Sequence, residues 1–151
     1  MIVSIIGLGY IGLPTAAVLA SKDIKVVGVD VSQYVVDTIN QGKIHIVEPG
    51  LDTLVREAVQ KNHLKAVINP EKADVFMIAV PTPFKGNHEP DLSYIRLAAK
   101  AIAPVLEKGN LVILESTSPV GATEKMMTWM REERLDLSFP EFGNNNFIAD
   151  I

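Results

Sequence analysis

Three glycines near the N-terminus constrain the fold of this chain more than any other feature. Gly7, Gly9 and Gly12 follow an apolar segment that has the character of a buried β-strand. A stretch of small residues typical of a helix comes next, and then a second strand, 26–29, that ends at Asp30. In a G-x-G-x-x-G turn the first glycine permits a tight bend, the second lets a phosphate approach the backbone, and the third allows close helix packing. The order of these elements therefore predicts the first half of a dinucleotide-binding fold.

Asp30 indicates which dinucleotide such a fold would bind. A carboxylate at the end of the second strand can accept hydrogen bonds from both hydroxyls of the adenosine ribose, whereas it would repel a 2′-phosphate. We therefore expect NAD as the cofactor rather than NADP. The alternative is a tight glycine turn that binds no ligand, which explains Gly7 but gives no reason for Asp30.

Strands and helices alternate along the rest of the chain. Further strands are predicted at 64–68, 75–80, 111–114 and 147–151, and further helices at 31–40, 51–61, 94–106 and 123–134. This alternation predicts a Rossmann-like α/β fold, in which a doubly wound parallel sheet carries helices on both faces. A length of 151 residues fits one domain, and residues 1–151 are expected to form it.

Composition and charge exclude several classes of partner and site. The net charge of −4 and the lack of a basic run exclude nucleic acid and anionic membranes as expected partners. The uncharged N-terminal segment has no basic region before it and is broken by Pro14 and the glycines, so neither a signal peptide nor a membrane span is predicted. The chain has no cysteine, which is compatible with a cytoplasmic location. No metal site is predicted, because His45, His63 and His88 are widely separated.

The last predicted helix carries two features for which we expect a structural role. The charged run 131–134 is predicted to be a solvated face of the helix. Met126, Met127, Trp129 and Met130 recur at helical spacing, which is typical of core or of a covered interface.

Hydroxyl side chains follow two of the predicted strands, at the edge where a parallel sheet binds its ligands. Thr82 follows the strand 75–80, and Ser116 and Thr117 follow the strand 111–114. In open parallel sheets ligands bind beyond the carboxyl ends of the strands. Together with the glycine turn, three strand ends thus supply candidate contacts. Alternatively, these hydroxyls could serve only as helix caps or turn residues.

Five motifs spread over nearly the whole chain resemble those of the nucleotide-sugar 6-dehydrogenases. They are G-L-G-Y-I-G-L-P (7–14), V-G-V-D (27–30), E-P-G-L (48–51), V-P-T-P-F (80–84) and E-S-T-S-P-V-G (115–121). Within that family the longer runs I-H-I-V-E-P, A-V-P-T-P-F-K-G and V-I-L-E-S-T-S-P-V-G are most similar to the branch acting on UDP-N-acetyl-D-mannosamine. The family oxidises the C6 alcohol of a nucleotide sugar to a carboxylate with two NAD+, in the synthesis of polysaccharide precursors.

The resemblance also implies roles for single residues on the adenosine side of the cofactor. It places Gly7, Gly9, Tyr10, Ile11 and Gly12 at the pyrophosphate of NAD. Asp30 would lie at the adenosine ribose. One departure is Val35, because UDP-glucose dehydrogenases often carry a basic residue near the adenosine ribose at that position.

On the nicotinamide side the resemblance implies four further contacts. Pro81 and Thr82 would lie near the nicotinamide-side ribose, and Ser116 and Thr117 would complete the cofactor site. Thr117 matches a catalytic threonine that helps to position a water molecule. Glu141 is not assigned as the family's catalytic glutamate, because it precedes the predicted strand 147–151 instead of ending it.

The missing cysteine limits what this chain is expected to do alone. In the family a cysteine thiolate captures the aldehyde intermediate, and that cysteine, a general-base lysine, the dimerisation helix and the sugar-nucleotide domain all lie further towards the C-terminus. The chain is therefore expected to be an NAD-binding domain that is inactive in isolation, from an enzyme that acts on a UDP-sugar as a homodimer. Two alternatives stay open, namely a stand-alone NAD-sensing module and the cofactor domain of another NAD-dependent dehydrogenase, of the UDP-glucose or 3-hydroxyacid type.

Overall fold

A five-stranded parallel β-sheet forms the centre of the molecule in the computed structural model, which describes residues 1–86, 89–140 and 150–151. The strands of this sheet, in the spatial order β3-β2-β1-β4-β7, are β1 (Ile2–Ile6), β2 (Lys25–Val29), β3 (Leu64–Val67), β4 (Val75–Ile78) and β7 (Leu111–Leu114). Two short strands between β4 and β7, β5 (Phe84–Lys85) and β6 (Glu89–Pro90), pair with each other in an antiparallel hairpin. The direction of strand addition reverses between β1 and β4, which is the switch point where open α/β sheets bind ligands.

Helices cover both faces of the sheet, as predicted. They are α1 (Gly12–Ser21), α2 (Gln33–Asn40), α3 (Leu51–Gln60), α4 (Ser93–Ile102), a 3-10 turn (Ala103–Val105) and α5 (Ala122–Glu133). Because neighbouring side chains of a strand point to opposite faces, β1 contributes to both cores. Ile5 packs with residues of α1, α2 and α3, whereas Ile6 packs with Phe76 and with residues of α4 and α5. The Rossmann-like fold is thus confirmed. No helix in the described ranges is long and apolar enough to cross a bilayer.

Two helix boundaries differ from the prediction by more than one residue, for local reasons. Helix α2 begins at Gln33, since the Ser32 hydroxyl accepts a hydrogen bond from the backbone N–H of Val35 and caps the helix. Helix α4 ends at Ile102, four residues before the predicted end, because Pro104 has no N–H to continue the hydrogen-bond ladder. The predictions for His88, Glu141 and most of the strand 147–151 fall outside the described residues.

The predicted solvated face at the end of α5 is wrong for Arg134. Its Nη1 donates hydrogen bonds to the carbonyl oxygens of Ala103 (2.9 Å) and Leu106 (2.6 Å), and its guanidinium also binds Asp136 through two nitrogens. This pairing raises the pKa of Arg134 and lowers the pKa of Asp136 to about 2. The last carbonyls after α4 need a donor, and a guanidinium with five N–H groups supplies it. As predicted for the core, Met126 and Met130 are buried.

Candidate cofactor site

Two glycines of the motif are required by the fold itself. Gly7 has φ +95°, and a Cβ atom there would lie 2.6 Å from the carbonyl oxygen of Ala79. At Gly12 a Cβ atom would lie 1.8 Å from the carbonyl oxygen of Gly7, so the first turn of α1 packs directly on the glycine turn. The N–H of Gly7 donates to Val29 (2.8 Å), which joins the turn to the end of β2. A side chain at either glycine would push these backbones apart.

Gly9 is different, because nothing in the fold requires a glycine there. Its φ lies outside the left-handed region, and a Cβ atom built on it meets no heavy atom within 4 Å. The space in front of its Cα is therefore open. An open space of this kind, at the start of a helix, is what the close approach of a phosphate to the backbone needs.

The residues after Gly9 expose backbone donors at the start of α1. The N–H of Leu13 makes an early helical hydrogen bond, to the carbonyl of Gly9 (3.0 Å). Within the described part of the chain nothing accepts from the N–H groups of Tyr10 and Ile11, and both residues are exposed. No side chain caps the helix. The N-terminus of α1 thus combines free donors with the positive end of the helix dipole, which favours an anion.

Asp30 is fixed between the glycine turn and the start of α2. Its Oδ2 accepts a hydrogen bond from the backbone N–H of Leu8 (3.0 Å), and its Oδ1 accepts one from the N–H of Ser32 (2.9 Å). A carboxylate has about four acceptor positions, so two of them stay available to a ligand. We did not predict this anchoring from the sequence, because Asp30 and Leu8 are far apart along the chain. The side chain therefore has a structural role in addition to any role in binding.

A cleft of about 380 Å³ lies beyond the carboxyl ends of β4 and β7. It is lined by Ile11, Ala79, Val80, Pro81, Thr82, Glu115, Ser116 and Thr117. This volume is within the range of small-molecule sites. The structure thus brings one residue of the glycine turn together with the four residues predicted at the ends of β4 and β7. Tyr10 and Asp30 do not line this cleft.

The hydroxyls of the cleft are not equally free. Thr82 Oγ1 donates to the carbonyl of Thr117 (2.5 Å), and Ser116 Oγ donates to the carbonyl of Val80 (2.8 Å). Since a hydroxyl has one proton, these two side chains face a ligand as acceptors only. Among the described residues none binds the hydroxyl of Thr117, which is exposed and free to donate. The expected turn role therefore accounts for Thr82 and Ser116 in part, but not for Thr117.

Three lining residues, Ala79, Val80 and Glu115, are not among the single residues predicted for the site. Ala79 and Glu115 directly follow β4 and β7, and Glu115 brings the one charged side chain among the described lining residues. A search that took every residue immediately after a parallel strand would have found Ala79 and Glu115.

The sequence model of the UDP-glucose/GDP-mannose dehydrogenase family, NAD binding domain, matches residues 1–149. The chain belongs to this family. It is 70% identical over 139 residues to UDP-N-acetyl-D-mannosamine dehydrogenase of Campylobacter jejuni, covering 91% of the chain and 34% of that protein. It is 65% identical over 138 residues to NDP-N-acetyl-D-galactosaminuronic acid dehydrogenase of Ralstonia nicotianae, covering 91% and 33%. The solved structure of UDP-D-ManNAc dehydrogenase from Pyrococcus horikoshii superposes with a TM-score of 0.88 at 38% identity, covering 99% of the chain and 34% of that structure.

Family membership confirms NAD as the cofactor, and the described residues fit it. The open space at Gly9 and the free donors of α1 suit a pyrophosphate, and the anchored carboxylate of Asp30 suits a ribose. The chain spans about a third of the length of the curated relatives that it matches. It corresponds to their cofactor-binding part.

Proposed function

We propose that this chain is the cofactor domain of an enzyme that oxidises the C6 alcohol of a UDP-linked N-acetylhexosamine to a carboxylate with NAD+. The open space at Gly9 carries the cofactor-binding part of this proposal, because neither packing nor backbone conformation explains a glycine there. The relatives support the substrate class, since their names refer to N-acetyl-D-mannosamine and N-acetyl-D-galactosaminuronic acid. We propose UDP-N-acetyl-D-mannosamine as the substrate, and a role in making polysaccharide precursors.

On the adenosine side, the backbone does most of the binding in this proposal. Gly7, Gly9, Tyr10, Ile11 and Gly12 hold the pyrophosphate, with Gly9 giving access and the N–H groups of Tyr10 and Ile11 donating to phosphate oxygens. Gly7 lets the turn pack on Ala79 after β4, and Gly12 lets α1 pack on the turn.

Asp30 selects NAD in this proposal. The two acceptor positions that Leu8 and Ser32 leave free accept from the ribose hydroxyls, while the negative charge repels a 2′-phosphate. Because both oxygens are anchored, the carboxylate cannot swing away to admit NADP. The backbone N–H groups of Leu8 and Ser32 therefore fix the carboxylate that selects NAD over NADP.

On the nicotinamide side, we propose that Pro81, Thr82, Ser116 and Thr117 contact the second ribose and the ring. Bound NAD+ supplies the hydride acceptor for the reaction. Thr117 has the free hydroxyl of the group and is proposed to orient a catalytic water molecule. Thr82 and Ser116 accept from the cofactor, because their protons are already donated within the protein.

The thiolate of the reaction must come from outside residues 1–151, since this chain contains no cysteine. A thiolate is suited to holding the aldehyde, because it is nucleophilic near neutral pH and leaves readily from the thioester. We therefore propose that residues 1–151 bind NAD without turning over a UDP-sugar, and that the full-length enzyme is a cytoplasmic homodimer.

The test is NADH formation by the full-length protein and by residues 1–151, each with UDP-N-acetylmannosamine, UDP-N-acetylgalactosamine and UDP-glucose. We expect turnover by the full-length protein, fastest with an N-acetylated sugar, and none by residues 1–151. Turnover by the isolated chain would show that the reaction needs no thiolate from outside residues 1–151. A full-length protein that binds NADH but oxidises no UDP-sugar would favour an NAD-sensing module instead.

A further inference from the structure

Asp91 connects three segments next to the cleft although it does not line it. Its Oδ1 accepts from the backbone N–H of Ser93 (2.9 Å), the first residue of α4, and lies 2.8 Å from Nζ of Lys85 in β5. Its own backbone N–H donates to the carbonyl of Pro83 (2.7 Å). The residue is buried, whereas the Lys85 side chain is exposed. A capping role at the start of α4 explains only the first of these contacts.

The segment that Asp91 holds forms one wall of the cleft. Pro81 and Thr82 line the cleft and Pro83 follows them directly. Two prolines in three residues leave this segment with a single backbone N–H, so it has little means of anchoring itself. Its fixed points in the described structure come from side chains and from neighbours, namely the Thr82 hydroxyl on Thr117 at one end and the N–H of Asp91 on Pro83 at the other.

We propose that Asp91 is a positioning residue for the nicotinamide half of the bound dinucleotide. Its side chain ties β5 to the first turn of α4 and so holds its own backbone N–H against the carbonyl of Pro83, which keeps Pro81 and Thr82 at the cleft wall. The adenosine half lies on the glycine turn and Asp30, which share none of the Asp91 contacts. This inference rests on the proposed function, because it takes the cleft to be the nicotinamide side of the site.

The variant that tests this role is Asp91→Ala, and the chain offers a matched control in Asp136→Ala. Asp136 also binds a cation, Arg134, but that cation lies beyond the far end of α4, away from the cleft. Both variants remove one carboxylate that holds a cation. Lys85→Gln serves as a milder variant, because it removes the ion pair of Asp91 and leaves the bond to Ser93.

The readout is the dissociation constant of residues 1–151 for NAD+ and for ADP, measured by calorimetry. ADP contains the adenosine and pyrophosphate but not the nicotinamide half. We expect Asp91→Ala to weaken NAD+ binding about threefold to tenfold, the range for losing a net hydrogen bond. Binding of ADP should stay unchanged. Asp136→Ala should leave both constants unchanged, and Lys85→Gln should shift NAD+ alone, in the same direction as Asp91→Ala.

Amide hydrogen exchange without ligand provides a second readout. In Asp91→Ala, or in Lys85→Gln should the alanine variant not fold, the amide of residue 91, which donates to Pro83, should exchange faster while those of the glycine turn do not. Equal weakening of NAD+ and ADP, or no change in either, overturns the positioning role. An unsubstituted chain that binds neither ligand overturns the proposed function and this inference together. If the unsubstituted chain binds NAD+ and ADP, and Asp91→Ala binds both with the same affinity, the inference alone is overturned.

Discussion

Alanine substitutions at two glycines of the same turn should have opposite consequences. In Gly9→Ala the new methyl group meets no heavy atom within 4 Å and the backbone is not left-handed, so the folded state loses nothing. Replacing a glycine at such a position commonly raises the free energy of unfolding by about 0.4–1 kcal/mol. The methyl group does, however, fill the space that the pyrophosphate needs. Overpacking of this kind costs about 1–3 kcal/mol, so NADH binding should weaken roughly 5-fold to 150-fold.

Gly12→Ala is the matched control for stability. Alanine has a helix propensity about 1 kcal/mol better than glycine, yet its Cβ would lie 1.8 Å from the carbonyl oxygen of Gly7. Because that neighbour is backbone rather than a flexible side chain, α1 must move away from the turn. We expect a net fall of about 1–3 kcal/mol in the free energy of unfolding.

Both variants are measured by urea unfolding and by NADH titration of residues 1–151. The expected pattern is a stable Gly9→Ala that binds NADH poorly, beside a Gly12→Ala that unfolds at lower urea. Gly9→Val should show the same pattern in a more severe form. If Gly9→Ala binds NADH as tightly as the unsubstituted chain, the loop is a turn and not a pyrophosphate site. If Gly9→Ala is destabilised as much as Gly12→Ala, a methyl group at residue 9 does clash with the fold, and the space in front of Gly9 is not open.

Three further predictions follow from the anchored side chains. Asp30→Ala should weaken NADH binding and also lower the free energy of unfolding by about 1–3 kcal/mol, because the N–H of Leu8 loses its acceptor; a parental urea midpoint would contradict the anchoring. Arg134→Met should lower the free energy of unfolding by about 1–3 kcal/mol, since it leaves two carbonyls without their donor, while NADH binding stays unchanged. Urea unfolding checks the first expectation, and NADH titration checks the second. The pKa values of Asp91 and Asp136 are lowered from 3.8 to about 2, so their stabilisation is complete above about pH 4 and lost as the pH falls towards 2. The Asn variants at both positions should flatten that part of the stability profile, and an unchanged acid profile would refute the role of these ion pairs.

The sheet and its helices could be predicted because their signals are local and repeated. Each strand of the main sheet is a short, mainly apolar run, and the helices between most of the strands indicate a parallel topology. Gly42, two residues after the end of α2, has φ +71°, the left-handed conformation in which a glycine ends a helix. The hairpin β5–β6 was not predicted, because strands of two residues such as Phe84–Lys85 show no periodicity.

The site was predictable in its location but not in its internal contacts. The ends of parallel strands meet at one edge, so Pro81, Thr82, Ser116 and Thr117 could be expected to lie together. Nothing in the sequence shows that the Thr82 hydroxyl donates to Thr117. Such contacts depend on side-chain directions and on distances between segments far apart along the chain. The same reason explains why Arg134 was expected to be solvated.

The most direct test of NAD binding at this edge is a titration of residues 1–151 with NADH and with NADPH, followed by backbone amide chemical shifts. We predict that NADH binds more tightly than NADPH, and that the largest shifts occur at residues 7–12, Asp30 and 81–83. Asp30→Ala should narrow the difference between the two dinucleotides, because it removes the charge that repels the 2′-phosphate. Equal affinity of the unsubstituted chain for NADH and NADPH, or shifts confined to residues away from the carboxyl ends of the strands, would contradict the proposed site.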